Sequence, residues 1–137
     1  MQINTELSLG CSSNFPQFNC SILLRFDNIT VLPEIFESLV KLNVEQITVK
    51  VKKNPAQFTI QFPNNWEPVY FANLNAAIND FLEKIDGLIE PINQIIDAYN
   101  GDIQLEVKCF NASTRTTKID LEVSNKLKIM NAKLHLI

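Results

Sequence analysis

The hydrophobic residues of this chain follow the periods of regular secondary structure, and the longest such pattern is helical. Between 74 and 100, apolar residues recur at alternating spacings of four and three, which places them on one face of a helix. Pro91 lies within this pattern and cannot donate a helical hydrogen bond. Because the apolar spacing continues through it, we expect one kinked helix, or two nearly coaxial helices broken between Gly87 and Pro91, ending at Asn100-Gly101. The face consists of Leu74, Ile78, Phe81, Ile85, Leu88, Ile92, Ile95 and Tyr99.

A shorter helical pattern spans residues 31–42 and follows an apolar stretch. Residues 20–26 are rich in β-forming side chains and predict a buried strand. Asp27 or Thr30 can cap the helix that follows, and Pro33 suits its first turn. The apolar face of this helix consists of Leu32, Ile35, Phe36, Leu39, Val40 and Leu42.

Strict alternation of apolar and polar residues predicts several further strands. Residues 45–53 and 56–62 alternate on either side of a Lys-Asn-Pro turn and predict a β-hairpin over 45–62. Residues 2–9 and 103–109 also predict strands. The inward positions are Ile47, Val49 and Val51, then Phe58, Ile60 and Phe62, and then Ile103, Leu105, Val107 and Cys109.

The C-terminal part of the chain allows two interpretations. Residues 118–123 alternate and predict a strand, and residues 132–137 predict a final apolar strand. Residues 124–130 fit either a short helix capped by Ser124 or a continuation of the preceding strand.

These elements predict an α+β fold in a single domain covering residues 1–137, a length typical of one domain. We expect a mixed or antiparallel sheet with two helices, 31–42 and 74–100, packed on one face in ferredoxin-like connectivity. The opposite face of the sheet would be partly exposed to solvent.

Charge is distributed unevenly along the chain. Residues 67–102 contain seven acidic residues and one lysine, whereas residues 103–137 contain three acidic and six basic residues. Four of the acids, Glu83, Asp86, Glu90 and Asp97, lie opposite the apolar face of the predicted long helix, within about 60° of one another. A solvated helix back is the ordinary interpretation of such a stripe, and a contact surface for a partner is the other.

Composition excludes several classes of function. The net charge of −3 lacks the basic footprint of a nucleic-acid or anionic-membrane binder. The first residues lack the basic and apolar regions of a signal peptide, so we expect a cytoplasmic protein. Cys11, Cys20 and Cys109 are odd in number and widely spaced, which argues against a disulfide framework or a zinc site.

Catalytic signatures are missing from the sequence. No glycine-rich phosphate loop or nucleophile elbow occurs, and the chain has only three glycines. A dyad of Cys109 with His135 is conceivable, but a single histidine at alternating spacing is more simply an ordinary strand residue. We therefore predict a protein that is not an enzyme and that has no catalytic residues, metal or cofactor.

Three segments carry a resemblance to a known family. They are "DNITVLPEIFESLVKL", "YNGDIQLEVKCF" after a tryptophan-bearing loop and a long amphipathic helix, and "DLEVSNKLKIMNAKLHLI" at the C-terminus. Over residues 20–137 the chain resembles a bacterial domain-of-unknown-function family of small acidic α+β proteins. That family is similar to immunity proteins of polymorphic and contact-dependent toxin systems. The chain departs from the family pattern by an additional N-terminal strand and by lacking a Lys-Gly turn in the first hairpin.

The resemblance implies a cytoplasmic immunity protein, either a monomer or a weak dimer, that binds and neutralises a cognate toxin domain. Toxic nucleases are commonly basic, and an acidic surface can attract and block them. The alternative is a small-molecule-binding or regulatory domain, which an apolar pocket near Trp66, Tyr70 and Phe71 would favour. The predicted partner-binding residues are Glu83, Asp86, Glu90, Asp97, Glu67 and Trp66.

Overall fold

The computed structural model describes residues 17–64, 69–71, 73–110 and 118–137. In these ranges the chain forms a mixed sheet of six strands with four α-helices, and the predicted α+β class is confirmed. The strands are β1 Gln17–Phe26, β2 Thr48–Lys53, β3 Ala56–Phe62, β4 Val69–Tyr70, β5 Asp102–Phe110 and β6 Lys133–Leu136. The helices are α1 Leu32–Lys41, α2 Leu74–Lys84, α3 Asp86–Tyr99 and α4 Leu121–Met130, and a short 3-10 turn, Ile29–Val31, precedes α1. The predicted strand 2–9 and turn 111–117 lie outside the described residues.

The sheet has the strand order β2-β3-β1-β5-β6, and β4 pairs with the beginning of β1. Strand β1 is antiparallel to both β3 and β5, so that Ile22 lies between Phe62 and Leu105. The predicted hairpin of β2 and β3 is present, and β6 is parallel to β5. The ferredoxin-like connectivity stays a prediction, because β4, α4 and β6 lie outside that scheme.

One face of the sheet forms the hydrophobic core together with the helices. The inward positions predicted by alternation in β3 and β5 are buried, except that Cys109 is half-buried, and the buried strand predicted over 20–26 belongs to β1. Phe26 stacks on Phe58 with ring centroids 5.2 Å apart. Two helices were expected to cover this face, but all four contribute buried residues to the same cluster. The most deeply buried helical residues are Ile35 and Leu39 of α1, Ile78 of α2, Ile92 of α3, and Val123 and Met130 of α4.

The predicted long helix is divided into α2 and α3, and the predicted place of the break is wrong. The break lies at Ile85, where the backbone leaves helical geometry, and Pro91 is inside α3. The carbonyl that Pro91 cannot bond belongs to Gly87, in the first turn of α3. Gly87 is exposed, so water can bond its carbonyl in place of the missing N–H, and α3 continues through the proline.

The strand predicted over 118–123 is wrong, because residues 118–120 precede α4 and residues 121–123 form its first turn. Val123, Leu127 and Met130 are buried at helical spacings of four and three, whereas Leu121, which the alternating pattern placed inward, is 74% exposed. The helix begins after Asp120 and not at Ser124, so Ser124 is not its cap. Three buried contacts with the core outweigh the local alternation of Ile119, Leu121 and Val123.

Some residues predicted to face the core lie at its margin. Phe36 and Val40 of α1 are 41% and 52% exposed, and Val51 of β2 is 49% exposed. Strand β2 lies at an edge of the sheet, so few core side chains pack against it. The helical and alternating periods were correct there, but the extent of burial was smaller than expected.

Helix α3 ends at Asn100 and Gly101, as predicted. Asn100 adopts the left-handed conformation with φ 53°, and the Gly101 N–H donates to the Ile96 carbonyl at 2.9 Å. A Cβ atom on Gly101 would overlap the Phe26 ring, lying 2.7 Å from its Cδ1, and would lie 3.0 Å from Ile96 Cδ1. The chain therefore turns from α3 into β5 against the side of a core phenylalanine.

A buried amide joins the beginning of α2 to the beginning of α4. Asn75, which is 9% exposed, donates from Nδ2 to the Lys118 carbonyl at 2.8 Å and accepts at Oδ1 from the Asp120 N–H at 2.8 Å. Both backbone groups belong to the three residues that precede α4. Asn75 therefore positions α4 against α2 in place of an N-terminal capping side chain.

Candidate partner-binding surface and an adjoining cavity

Four of the predicted site residues form one acidic surface on α2 and α3, defined here as Glu83, Asp86, Glu90 and Asp97. All four side chains are exposed. The three on α3 lie within about 40° of one another around the helix axis and extend over about 16 Å. The break at Ile85 leaves Glu83 near the end of α2, next to this row.

The acidic surface is not neutralised by neighbouring cations. Other carboxylates have partners: Lys84 Nζ lies 2.9 Å from Asp80, and Lys126 Nζ lies 3.3 Å from Glu122. Within the described ranges, none of the four carboxylates of the acidic surface makes an ion pair or a side-chain hydrogen bond. Their full charge is therefore available to attract a basic partner.

An apolar groove runs beside the acidic surface, between α4 and the end of α2. It has a volume of about 390 Å³ and is called the α4 groove; its lining residues are Leu82, Glu83, Asp86, Ile89, Lys126 and Ile129. Ile129 is 74% exposed on its wall. Lys126 is held by Glu122 and by Asn79 Oδ1 at 3.0 Å, so its charge is balanced. This groove has no signal in the sequence, because it depends on the packing of α4 beside α2 and α3, and the pattern over residues 124–130 allows either a helix or a strand.

The structure does not describe the other two predicted partner-binding residues, and it describes two of the three residues named for the apolar pocket. Trp66 and Glu67 lie outside the described residues, so their proposed role stays a prediction. Tyr70 is 49% exposed on β4, whereas Phe71 is half-buried against the core. The structure thus brings together four of the six predicted partner-binding residues.

A cavity of about 320 Å³ lies beside Phe71 and is called the Phe71 cavity. Its walls come from the beginning of β1, the loop 43–46, the end of β3, residues 69–71 and one side of α2. The lining phenylalanines are Phe18, Phe62, Phe71 and Phe81, and the charged residues at the cavity are Glu45, Asp80 and Lys84. Of the three residues named for the small-molecule alternative, Phe71 lines this cavity, which has both apolar and polar walls, and that alternative stays a prediction.

The Cys20 thiol lines this cavity and has a low reactivity as a nucleophile. Burial, with smaller contributions from Cys109 and Asp80, raises the pKa of Cys20 from 9.0 to about 12. Its sulfur lies 3.9 Å from the Ala77 carbonyl oxygen. Burial also raises the pKa of Cys109, and both cysteines are free thiols. A neutral thiol is a weak nucleophile, so neither cysteine has the properties of a catalytic one.

Cys109 and His135 lie on opposite faces of the sheet and do not form a dyad. Cys109 follows the inward alternation of Val107, whereas His135 pairs with Glu106 on the outer face. His135 Nδ1 lies 3.5 Å from Glu106 Oε2 and 3.1 Å from Gln104 Nε2. In the part of the chain that the structure describes, no group of three or more His, Cys, Asp or Glu residues could hold a metal ion.

The raised pKa of Cys20 predicts a loss of stability at alkaline pH. Above about pH 9 the unfolded thiol loses its proton while the folded thiol keeps it, so the free energy of unfolding falls by up to about 1.4 kcal/mol per pH unit. Below the unfolded pKa the thiol is protonated in both states and contributes no pH dependence. Urea unfolding of the wild type and of Cys20→Ala between about pH 8 and pH 10.5 measures the difference. Equal slopes in the two proteins would contradict the prediction.

Comparison with known proteins adds no family or relative to this description: the chain matches no family model, no curated protein and no solved structure. The resemblance to the family of small acidic α+β proteins therefore stays a prediction that rests on the sequence motifs. Of the helices in the described ranges, none is long and apolar enough to cross a membrane.

Proposed function

We propose that the protein is an immunity protein that binds a basic bacterial toxin domain through the acidic surface and thereby neutralises it. The observation that carries this proposal is the row of four exposed carboxylates on α2 and α3, which have no ion-pair partner among the described residues. Maintaining like charges side by side on a helix is mildly unfavourable, so a partner that neutralises them gains binding energy.

The α4 groove supports the same interface by offering an apolar contact beside the charges. Binding energy in protein interfaces comes mainly from a few desolvated anchors, while charges at the rim increase the association rate. The exposed Ile129 and the half-buried Ile89 form such an anchor position, and Glu83 and Asp86 lie on its rim. A partner segment with an apolar side chain next to lysine or arginine has the matching chemistry.

A nuclease is the toxin class that this surface fits best. An enzyme that binds a nucleic acid presents a basic surface to the phosphate backbone. An acidic protein that covers this surface excludes the substrate without needing any catalytic group of its own. The proposed partner is therefore a cognate toxin domain, expected to be encoded beside this protein.

Reversing charge on the acidic surface is expected to weaken toxin binding. Glu83→Lys with Glu90→Lys should raise the dissociation constant at least about tenfold, mainly through slower association, and should reduce the salt dependence of binding. The measurement is surface plasmon resonance with the purified toxin domain from the neighbouring reading frame, at two salt concentrations.

The matched control is Asp27→Lys with Glu37→Lys, which changes the net charge equally at exposed positions outside α2, α3 and α4. This control is expected to bind within about twofold of the wild type. A third variant, Ile129→Ser, should increase the dissociation rate of the complex. Because Ile129 is exposed, this change should not affect folding. If the toxin binds all variants equally, the acidic surface is not the interface; if it does not bind the wild type, the proposed function is wrong.

A further inference from the structure

The Phe71 cavity is a second concave site on a different side of α2 from the α4 groove. Asp80, Lys84 and Leu88 line the cavity, whereas Leu82, Glu83 and Asp86 line the groove. We propose that the Phe71 cavity binds a small molecule with an aromatic body and a cationic amine head group. This site is independent of the proposed toxin interface.

The aromatic body follows from the size and the walls of the cavity. A volume of about 320 Å³ lies at the lower end of the range for small-molecule pockets. Four phenylalanines, from β1, β3, α2 and the residue after β4, contribute to its walls. Aromatic walls favour an aromatic guest through edge and offset contacts in addition to apolar burial. The buried Cys20 thiol adds a small, uncharged wall to this interior.

The cationic head group follows from the charge at the rim. Lys84 Nζ lies 2.9 Å from Asp80, so the single cation at the cavity is already paired. Glu45 is exposed and forms no ion pair with any described residue. Among the described lining residues, the rim therefore retains one negative charge without an ion-pair partner, which attracts an amine and repels a carboxylate.

The loop that presents Glu45 is fixed in place before any ligand binds. Val44 of this loop is buried, and its N–H donates to the Leu39 carbonyl at 3.1 Å. The Gln46 carbonyl accepts from the Asn64 N–H at 2.9 Å. Asn43 and Gln46 both have positive φ, 62° and 56°, which is unfavourable for residues other than glycine. These contacts fix the backbone of the loop before binding, so only the Glu45 side chain has to be ordered by a ligand.

Three probes of nearly equal size test the proposal with the full-length protein: 2-phenylethylamine, 2-phenylethanol and 3-phenylpropanoate. Titration is followed by two-dimensional amide NMR. The amine is expected to bind at least about tenfold more tightly than the carboxylate, with the neutral alcohol between them. The largest shifts should occur at the amides of Cys20, Phe71 and Ala77.

Glu45→Gln removes the unpaired charge at an exposed position and should not affect folding. It is expected to weaken amine binding about three- to tenfold and to leave alcohol binding unchanged. Glu37→Gln, an exposed change on α1 away from the cavity, is the matched control and should bind the amine as the wild type does. The proposal is overturned if none of the probes binds, if the carboxylate binds as tightly as the amine, or if the shifts lie at the α4 groove.

Discussion

Replacing Asn75 with alanine is expected to lower the free energy of unfolding by about 1–3 kcal/mol, because it removes two part-buried hydrogen bonds to the backbone before α4. The amide of Asn75 bonds the Lys118 carbonyl and the Asp120 N–H, each at 2.8 Å. Alanine fits sterically and is favourable in a helix, so the loss would come from these two bonds. Urea unfolding monitored by circular dichroism measures the change.

Asn79→Ala is the matched control for Asn75→Ala. Asn79 lies on the same helix one turn later and accepts a single hydrogen bond, from the half-exposed Lys126 side chain at 3.0 Å. Solvent can replace this bond, so the expected cost is below about 1 kcal/mol. Similar losses in the two variants would show that Asn75 does not have the proposed role at the start of α4.

Gly101→Ala and Gly87→Ala are expected to change stability in opposite directions. At Gly101 the added methyl group would overlap the Phe26 ring, which is 1% exposed and stacked on Phe58, so the ring cannot move aside cheaply. The expected cost is about 1–3 kcal/mol. At Gly87, in the first turn of α3, nothing lies within 4 Å of the added methyl group. Alanine there should stabilise the protein by about 0.5–1 kcal/mol.

The pair of glycine variants is compared in one set of denaturant titrations. The change in the unfolded chain is the same at the two positions, so the difference between them isolates the packing at Gly101. A destabilised Gly87→Ala would contradict the open position described at the start of α3, and a Gly101→Ala as stable as the wild type would contradict the described packing of the turn between α3 and β5.

The elements that the sequence predicted correctly are those in which local period and burial agree. Strands β1, β3 and β5 alternate between the core and the outer face, and α1 follows a helical period next to its proline. In these segments most of the predicted apolar positions face the core, whereas Phe36 and Val40 of α1 lie at its margin. A period can be read from the sequence alone, because it depends only on the geometry of one element.

The errors occur where tertiary contacts decide between two local solutions. Residues 119–123 alternate like a strand, but Val123, Leu127 and Met130 together bury more surface as one helical face. The break at Ile85 likewise depends on where α2 and α3 pack, whereas the sequence shows only the proline six residues later. Such choices depend on neighbours that a single sequence does not reveal.

The candidate sites were predictable only in part for the same reason. Four exposed carboxylates on one side of a helical region follow from the helical period, and the structure places them together. The α4 groove and the loop that carries Glu45 require knowledge of which elements are adjacent. Charge patterns thus identified a surface, but concave sites between elements appeared only in three dimensions.

The end of α3 also contains a peptide link, Asn100-Gly101, that is prone to deamidation. In an Asn-Gly pair the glycine nitrogen attacks the asparagine side chain and releases ammonia, a reaction that is fast because glycine has no Cβ to hinder it. In the folded protein the Gly101 N–H is bonded to Ile96, and Asn100 is fixed in the left-handed conformation. Packing against Phe26 requires glycine at this position, so the protein retains a link prone to deamidation. We therefore expect Asn100 to deamidate mainly during the fraction of time in which this turn is unfolded.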